Sequence, residues 1–271
     1  MIGLLSLLRP SAFGLRTSLL LPALLLPLLA CAQRPVDPRT PPLSPEESLK
    51  AGRQLVDELL AQKPEANSTN TGMVRIRDAN DQERHIPVKF EIYSTPTNWV
   101  SIYQTFPADG APAEELTVIH SGAQPSDYFR ARRPASSSAA ARPVRLTADQ
   151  IMAPFAGSDF WVADLGLEFL HWPTQRVLRR EQRRSQSCAV LESVNPHPAA
   201  GGYSRVDSWV DTDNGGILHA DAYDARRQLI KEFDPTALKK VNGQRQLEEM
   251  EMRNRKTGSH TWIKFNLAEQ R

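Results

Sequence analysis

The chain has 271 residues, a formal charge of +2 and two cysteines, Cys31 and Cys188. That length suits one large domain or two small ones, and the near-neutral balance offers no clustered basic face for nucleic acid. None of the six His, at 85, 120, 171, 197, 219 and 260, lies three or four residues from another, and no Cys cluster accompanies them, so no metal site is readable.

Residues 1–30 carry Arg9 and Arg16 but no acidic residue, and Leu19 to Leu29 is almost unbrokenly apolar. This is the pattern of a secretory signal peptide, with an apolar run too short for the roughly 20 residues that span a bilayer. It ends in Leu28-Leu29-Ala30-Cys31, which resembles the bacterial lipobox. The match implies cleavage before Cys31, lipidation of its sulfur and acylation of the new amine, with palmitate a typical chain. Without Arg9 and Arg16 the mature chain is close to neutral. Ala32 in place of an acidic residue favours the outer membrane by resemblance to proteobacterial sorting rules.

Residues 31–43 are Pro-rich and read as a tether. Ser44-Pro45-Glu46-Glu47 then opens a helix with a capping box, and Leu49, Leu55, Val56, Leu59 and Leu60 share one face of it. The helix is expected to end near Lys63-Pro64. Period-two strands follow: Val74 and Ile76; Ile86, Val88, Phe90 and Ile92; Val100, Ile102 and Phe106; Leu116 and Val118; Tyr128-Phe129. Residues 132–143 are low in complexity and read as a surface loop. Thr147 to Gln150 cap a short helical region with Ile151, Met152 and Phe155, and Gly157 to Trp161 lead into 162–170. The last hundred residues read as strands near 175–183, 188–194, 203–210, 216–223, 229–233, 247–253 and 261–267, with strong turns at Asp211 to Gly216 and Lys256 to Gly258. Such strands have one wet face and one apolar face. The local basic runs 130–133 and 176–184 read as solvated faces, with contact to anionic headgroups as the sharper alternative.

Several strings resemble one family. Phe155 to Phe160 with Asp164-Leu165, Cys188 to Glu192, Tyr203 to Asp211, Ala222 to Asp224 with Leu229 to Lys231, and Met252 to Asn254 with Thr257 to Thr261 look like signatures of the LolA-like and LolB-like lipoprotein-sorting proteins. The chain departs from the pattern at the 132–143 loop and at Arg226-Arg227, where a Gly is usual. The resemblance, over roughly 45–267, implies a single domain, residues 44–271, of the α+β, mainly β class. Its fold would be a strongly curved, unclosed antiparallel β-barrel covered by an N-terminal helix and short lid helices. It also implies lipid acyl chains or lipoproteins as cargo and no cofactor.

Apolar alternation makes Val74, Ile76, Ile86, Val88, Phe90, Ile92, Val100, Ile102, Leu116, Val118, Val190, Leu218, Ala220, Met250, Ile263 and Phe265 the inward candidates. The ligand-cavity candidates among them are Ile86, Val88, Phe90, Ile92, Val100, Ile102, Val190, Leu218, Met250 and Phe265. Leu55, Leu59, Phe155, Phe160 and Trp161 are the lid candidates. Cys188 reads as a buried small hydrophobe, and Asp159 and Asp164 as turn and capping residues rather than a catalytic pair. No nucleophile elbow or phosphate-binding loop is present, and the resemblance implies a non-enzymatic transport function: a lipid- or lipoprotein-binding module, anchored through Cys31 in the outer membrane, facing the periplasm, with an exporter or another membrane protein as a possible partner. A sensor of the same fold, similar to RseB and MucB, is the alternative. A hydrolase of envelope lipid or glycan, relying on Asp159, Asp164 or Cys188, is the third reading.

Overall fold

The computed structural model describes residues 43–134, 141–241 and 244–267. The expected signal peptide, Cys31, all but the last residue of the tether and positions 135–140 of the Ala/Ser loop lie outside the described residues. Helix α1 spans Pro45–Leu60. Six strands follow: β1 Ser68–Arg77, β2 Glu83–Ser94, β3 Trp99–Thr105, β4 Ala113–Ser121, β5 Gln124–Arg133 and β6 Val144–Arg145. A crossover, 146–173, carries two 3-10 turns, Gln150–Met152 and Glu168–His171, and the short helix α2, Val162–Leu165. Then come β7 Thr174–Arg183, β8 Gln186–Val194, β9 Arg205–Asp211, β10 Ile217–Tyr223, β11 Leu229–Val241, β12 Gln244–Asn254 and β13 His260–Asn266.

All thirteen strands form one antiparallel sheet, ordered β6-β5-β4-β3-β2-β1-β13-β12-β11-β10-β9-β8-β7. It consists of two meanders, β1–β6 and β7–β13, fused where β1 pairs with β13 at Val74↔Ile263 and Ile76↔Thr261. The sheet is curved and unclosed, as the sequence led us to expect. The crossover joins its two ends and lies across the inner face, with Phe155, Phe160, Val162 and Leu165 fully buried.

The capping box of α1 forms as its residues dictate. Ser44 Oγ accepts from the Glu47 amide (3.3 Å), and Glu47 Oε2 accepts from the Ser44 amide (2.9 Å). The helix ends at Leu60, short of Lys63-Pro64. It packs on β7 through Gly52, where an added Cβ would come within 2.4 Å of Arg176 Cα. Ser48 Oγ donates to the Val177 carbonyl (2.7 Å).

Burial corrects four inward assignments. In β3 the inner face belongs to Trp99, Ser101 and Tyr103, because Tyr103 pairs with Phe90; Val100 and Ile102 are half-buried on the other face, opposite Tyr93 and Glu91. Val190 and Leu218 belong to a separate outer cluster with Cys188 and Trp209. There the apolar side chains are covered by polar ones: the Arg179 and Arg183 guanidiniums lie 5.8 and 5.0 Å from the Trp209 ring, and Trp209 Nε1 donates to Glu181. Beside them His219 sits between Asp221 (3.0 Å) and Asp234 (3.1 Å). Burial alone would lower its pKa, and the two carboxylates reverse that to a net rise.

A covered cavity with one buried lysine

The crossover is held down mainly through its backbone carbonyls. Arg84 donates to Ala156 O (2.7 Å), Arg130 to Pro154 O (2.6 Å), Tyr103 OH to Leu165 O (3.2 Å), and Gln175 Nε2 to both Phe169 O and Trp172 O (2.9 Å each). These donors stand on β2, β5, β3 and β7, so both meanders grip the same segment. Asp159 is its firmest anchor. Its carboxylate accepts from Thr261 Oγ1 (2.8 Å), Ser259 Oγ (2.6 Å) and Asn254 Nδ2 (3.1 Å), and its amide donates to Thr261 Oγ1 (2.9 Å). Asp164 caps α2 by accepting from the Trp161 amide (2.7 Å) and also accepts from Tyr203 OH (3.1 Å). Asp164 thus makes the capping contact expected of it, whereas the Asp159 carboxylate bonds β12, β13 and the turn between them rather than its own turn.

Between crossover and sheet, a cavity of about 20 Å³ is lined by Asp164, Phe169, Tyr203, Val206, Ile217, Ala220, Ala222, Lys231, Phe233 and Met252. That is room for about one water molecule. Lys231 is its one cation and is 2% exposed. The ammonium donates to Asp159 O (2.6 Å), stands 3.8 Å from Asp164 Oδ2 and lies 3.6 Å from the centre of the Trp161 ring. Trp161 stacks in turn on Tyr203, with centroids 4.4 Å apart. Burial lowers the Lys231 pKa to about 7 against the opposing pull of Asp164 and Asp159. Burial raises that of Asp164, partly offset by Lys231.

A second space, also about 20 Å³, lies at the opposite end of the sheet, among Leu60, Gln62, Trp99, His120, Gly122, Gly166, Leu167, Leu170 and His171. Trp99 stacks on His120 at 3.6 Å, and burial holds the His120 pKa well below its ordinary value. The Glu168–His171 turn separates the two spaces. It is entered through Leu167 at φ 53°, a conformation that costs about 1–3 kcal/mol for a residue with a side chain.

None of the ten ligand-cavity candidates lines the lysine cavity. Ile86, Val88, Phe90, Met250 and Phe265 belong to the main core, and Ile92 is buried on the same face beside them. Val100, Ile102, Val190 and Leu218 face outward. Of the lid candidates, Phe155 and Phe160 are fully buried in the crossover, Trp161 packs on the cavity lysine, and Leu59 and Leu55 sit on α1 against the core. Lys231, Tyr203, Phe169 and Val206 were not foreseen, since a Lys within a strand ordinarily marks the wet face. Among the described residues no cluster of His, Cys, Asp and Glu could hold a metal, and no helix is long and apolar enough to cross a membrane.

A protein-family profile described only as "Uncharacterized protein" matches residues 137–271, and no curated protein matches the chain. Solved structures match over most of its length. A DUF1329 family protein from Desulfovibrio piger has a TM-score of 0.65 at 21% identity, covering 81% of this chain and 91% of that one. A putative outer membrane lipoprotein-sorting protein domain from Vibrio parahaemolyticus has a TM-score of 0.65 at 19% identity, covering 81% and 92%. A LolA superfamily protein from Nitrosomonas europaea has a TM-score of 0.54 at 16% identity, covering 83% and 94%. At these identities the likeness is one of fold, and the fold of this chain is LolA-like.

Proposed function

We propose that this protein is a non-enzymatic lipid- or lipoprotein-binding protein of the cell envelope, anchored through Cys31 and facing the periplasm, that holds acyl chains between its sheet and the crossover. The observation that carries this reading is the cover itself. The inner face of the sheet is closed by a segment with little regular structure, fixed largely by side-chain bonds to its carbonyls. Such bonds contribute about 0.5–1.5 kcal/mol each between neutral partners and about 1.5–3 kcal/mol where the donor is charged. The apolar side chains of the crossover occupy the space that a ligand would take, so an entering chain exchanges one apolar surface for another. Each buried CH₂ contributes about 0.8 kcal/mol, enough for a long chain to displace part of the segment. The fold likeness to a putative lipoprotein-sorting domain supports the same reading.

The test uses the full chain secreted with Cys31→Ser, purified without detergent and examined by native mass spectrometry and lipid extraction, beside the wild type. The expected result is a wild type that partitions with membranes and a soluble variant that carries a lipid or acylated-peptide mass. A bare protein mass, with no displacement of a fluorescent fatty-acid probe, overturns the cargo reading and leaves a partner-binding protein of the same fold. A wild type that stays soluble overturns the anchor.

A further inference from the structure

Lys231 is more than the cavity requires. A cavity for bare acyl chains is served by the apolar side chains around it, and replacing a buried ion pair by packed apolar residues is often neutral or stabilising. Here a lysine 2% exposed stands among Phe169, Val206, Ala222 and Phe233. An ammonium carries three donors. One is directed to Asp159 O at 2.6 Å. Asp164 Oδ2, at 3.8 Å, lies beyond hydrogen-bond reach and already accepts from Trp161 N and Tyr203 OH. The Trp161 ring at 3.6 Å offers the charge its face, not a lone pair.

The Asp159 carbonyl belongs to the crossover, so any movement that admits a chain beneath that segment takes away the lysine's one short acceptor. An uncharged acyl chain would offer the ammonium no acceptor in place of that carbonyl, leaving it at most the Asp164 carboxylate at 3.8 Å and the face of Trp161. A carboxylate or phosphate would replace the carbonyl and engage the other two donors. Lys231 is the third residue of β11, beside the β10–β11 and β12–β13 turns, so it stands at one end of the sheet, where a headgroup is placed if the tail runs inward.

Resting on the acyl-chain reading above, we propose that Lys231 is the anion-binding centre of the cavity, and that the preferred ligand is an amphiphile with a carboxylate or phosphate headgroup rather than a neutral acyl group. The test titrates the soluble full chain with a fluorescent long-chain polyene fatty acid, its methyl ester and its alcohol, and by competition with lysophosphatidic acid and a monoacylglycerol. The acid is expected to bind roughly 10-fold or more tightly than ester and alcohol, and Lys231→Met to remove that preference while ester binding persists. Competition by lysophosphatidic acid but not monoacylglycerol extends the site to phosphate; failure of both leaves a carboxylate site. Equal binding of acid and ester by the wild type overturns the anion centre while leaving acyl carriage intact, and needs no folded variant. Binding of none of them overturns both.

Discussion

Asp159 is buried and held by residues about 100 positions away in the chain. Removing its carboxylate strands the Thr261 hydroxyl and the Asn254 amide, while the backbone bond from Asp159 N to Thr261 Oγ1 survives. Asp159→Ala is therefore expected to cost about 2–4 kcal/mol, seen as a lowered Tm with an unchanged far-UV spectrum; an unshifted Tm would show that the anchor contributes nothing. Lys231 gives a pH signature. Its folded pKa is lowered to about 7, whereas the unfolded chain keeps the proton to about pH 10. Between those values the unfolded state binds more protons, so stability rises with pH. Above about pH 10 the trend reverses, because burial raises the pKa values of Tyr103, Tyr128 and Tyr203, that of Tyr103 to about 12. Tm measured from pH 7 to pH 9.5 should climb in the wild type and stay flatter in Lys231→Met. An equal climb in both would assign the effect to another group.

At the scale of elements, the docking of α1 on β7 turns on one hydrogen atom. Gly in a helix interior costs about 0.5–1 kcal/mol relative to Ala, so propensity alone would make Gly52→Ala stabilising. The added methyl would instead meet the Gln175 and Arg176 backbone at 2.4 Å, and overpacking of that kind typically costs about 1–3 kcal/mol. We expect the clash to win: a lower Tm, with faster tryptic cleavage at Lys50 and Arg53 as the helix lifts. A raised Tm would mean that β7 yields. The same contrast explains what could be read in advance. The Ser44-Pro45-Glu46-Glu47 start was legible because a capping box is local. The phase of β2 was legible because Ile86, Val88, Phe90 and Ile92 alternate with Pro87, Lys89 and Glu91. In β3 both faces carry large apolar side chains, so only its register against Phe90 decides that Trp99 and Tyr103 point inward. In β8 the whole run 188–193 is buried, one face by the crossover and the other by arginines of the outer face, and no alternation remains to be read. Lys231 was hidden because its burial depends on Asp159 and Trp161, which reach it from another part of the chain.

For the molecule as a whole, the decisive seam is the pairing of β1 with β13, near opposite ends of the described chain. Each meander is built from hairpins that close locally, but the seven-residue register from Thr71↔Asn266 to Arg77↔His260 joins the two. Contacts of such separation form late, since loop closure must be paid for before they reward the chain. β13 also brings Thr261, the partner of Asp159, and the fully buried Ile263, and its Phe265 packs edge-on against Phe90 at 4.7 Å. Ending the chain at Arg255 would leave β1 and β12 as unpaired apolar edges, the configuration that recruits other chains, and would free the crossover from its firmest anchor. The truncated protein is expected to show no cooperative thermal transition and to aggregate, although it keeps twelve of the thirteen strands. If it melts cooperatively, the two meanders fold independently, and the crossover rather than the β1–β13 seam holds them together.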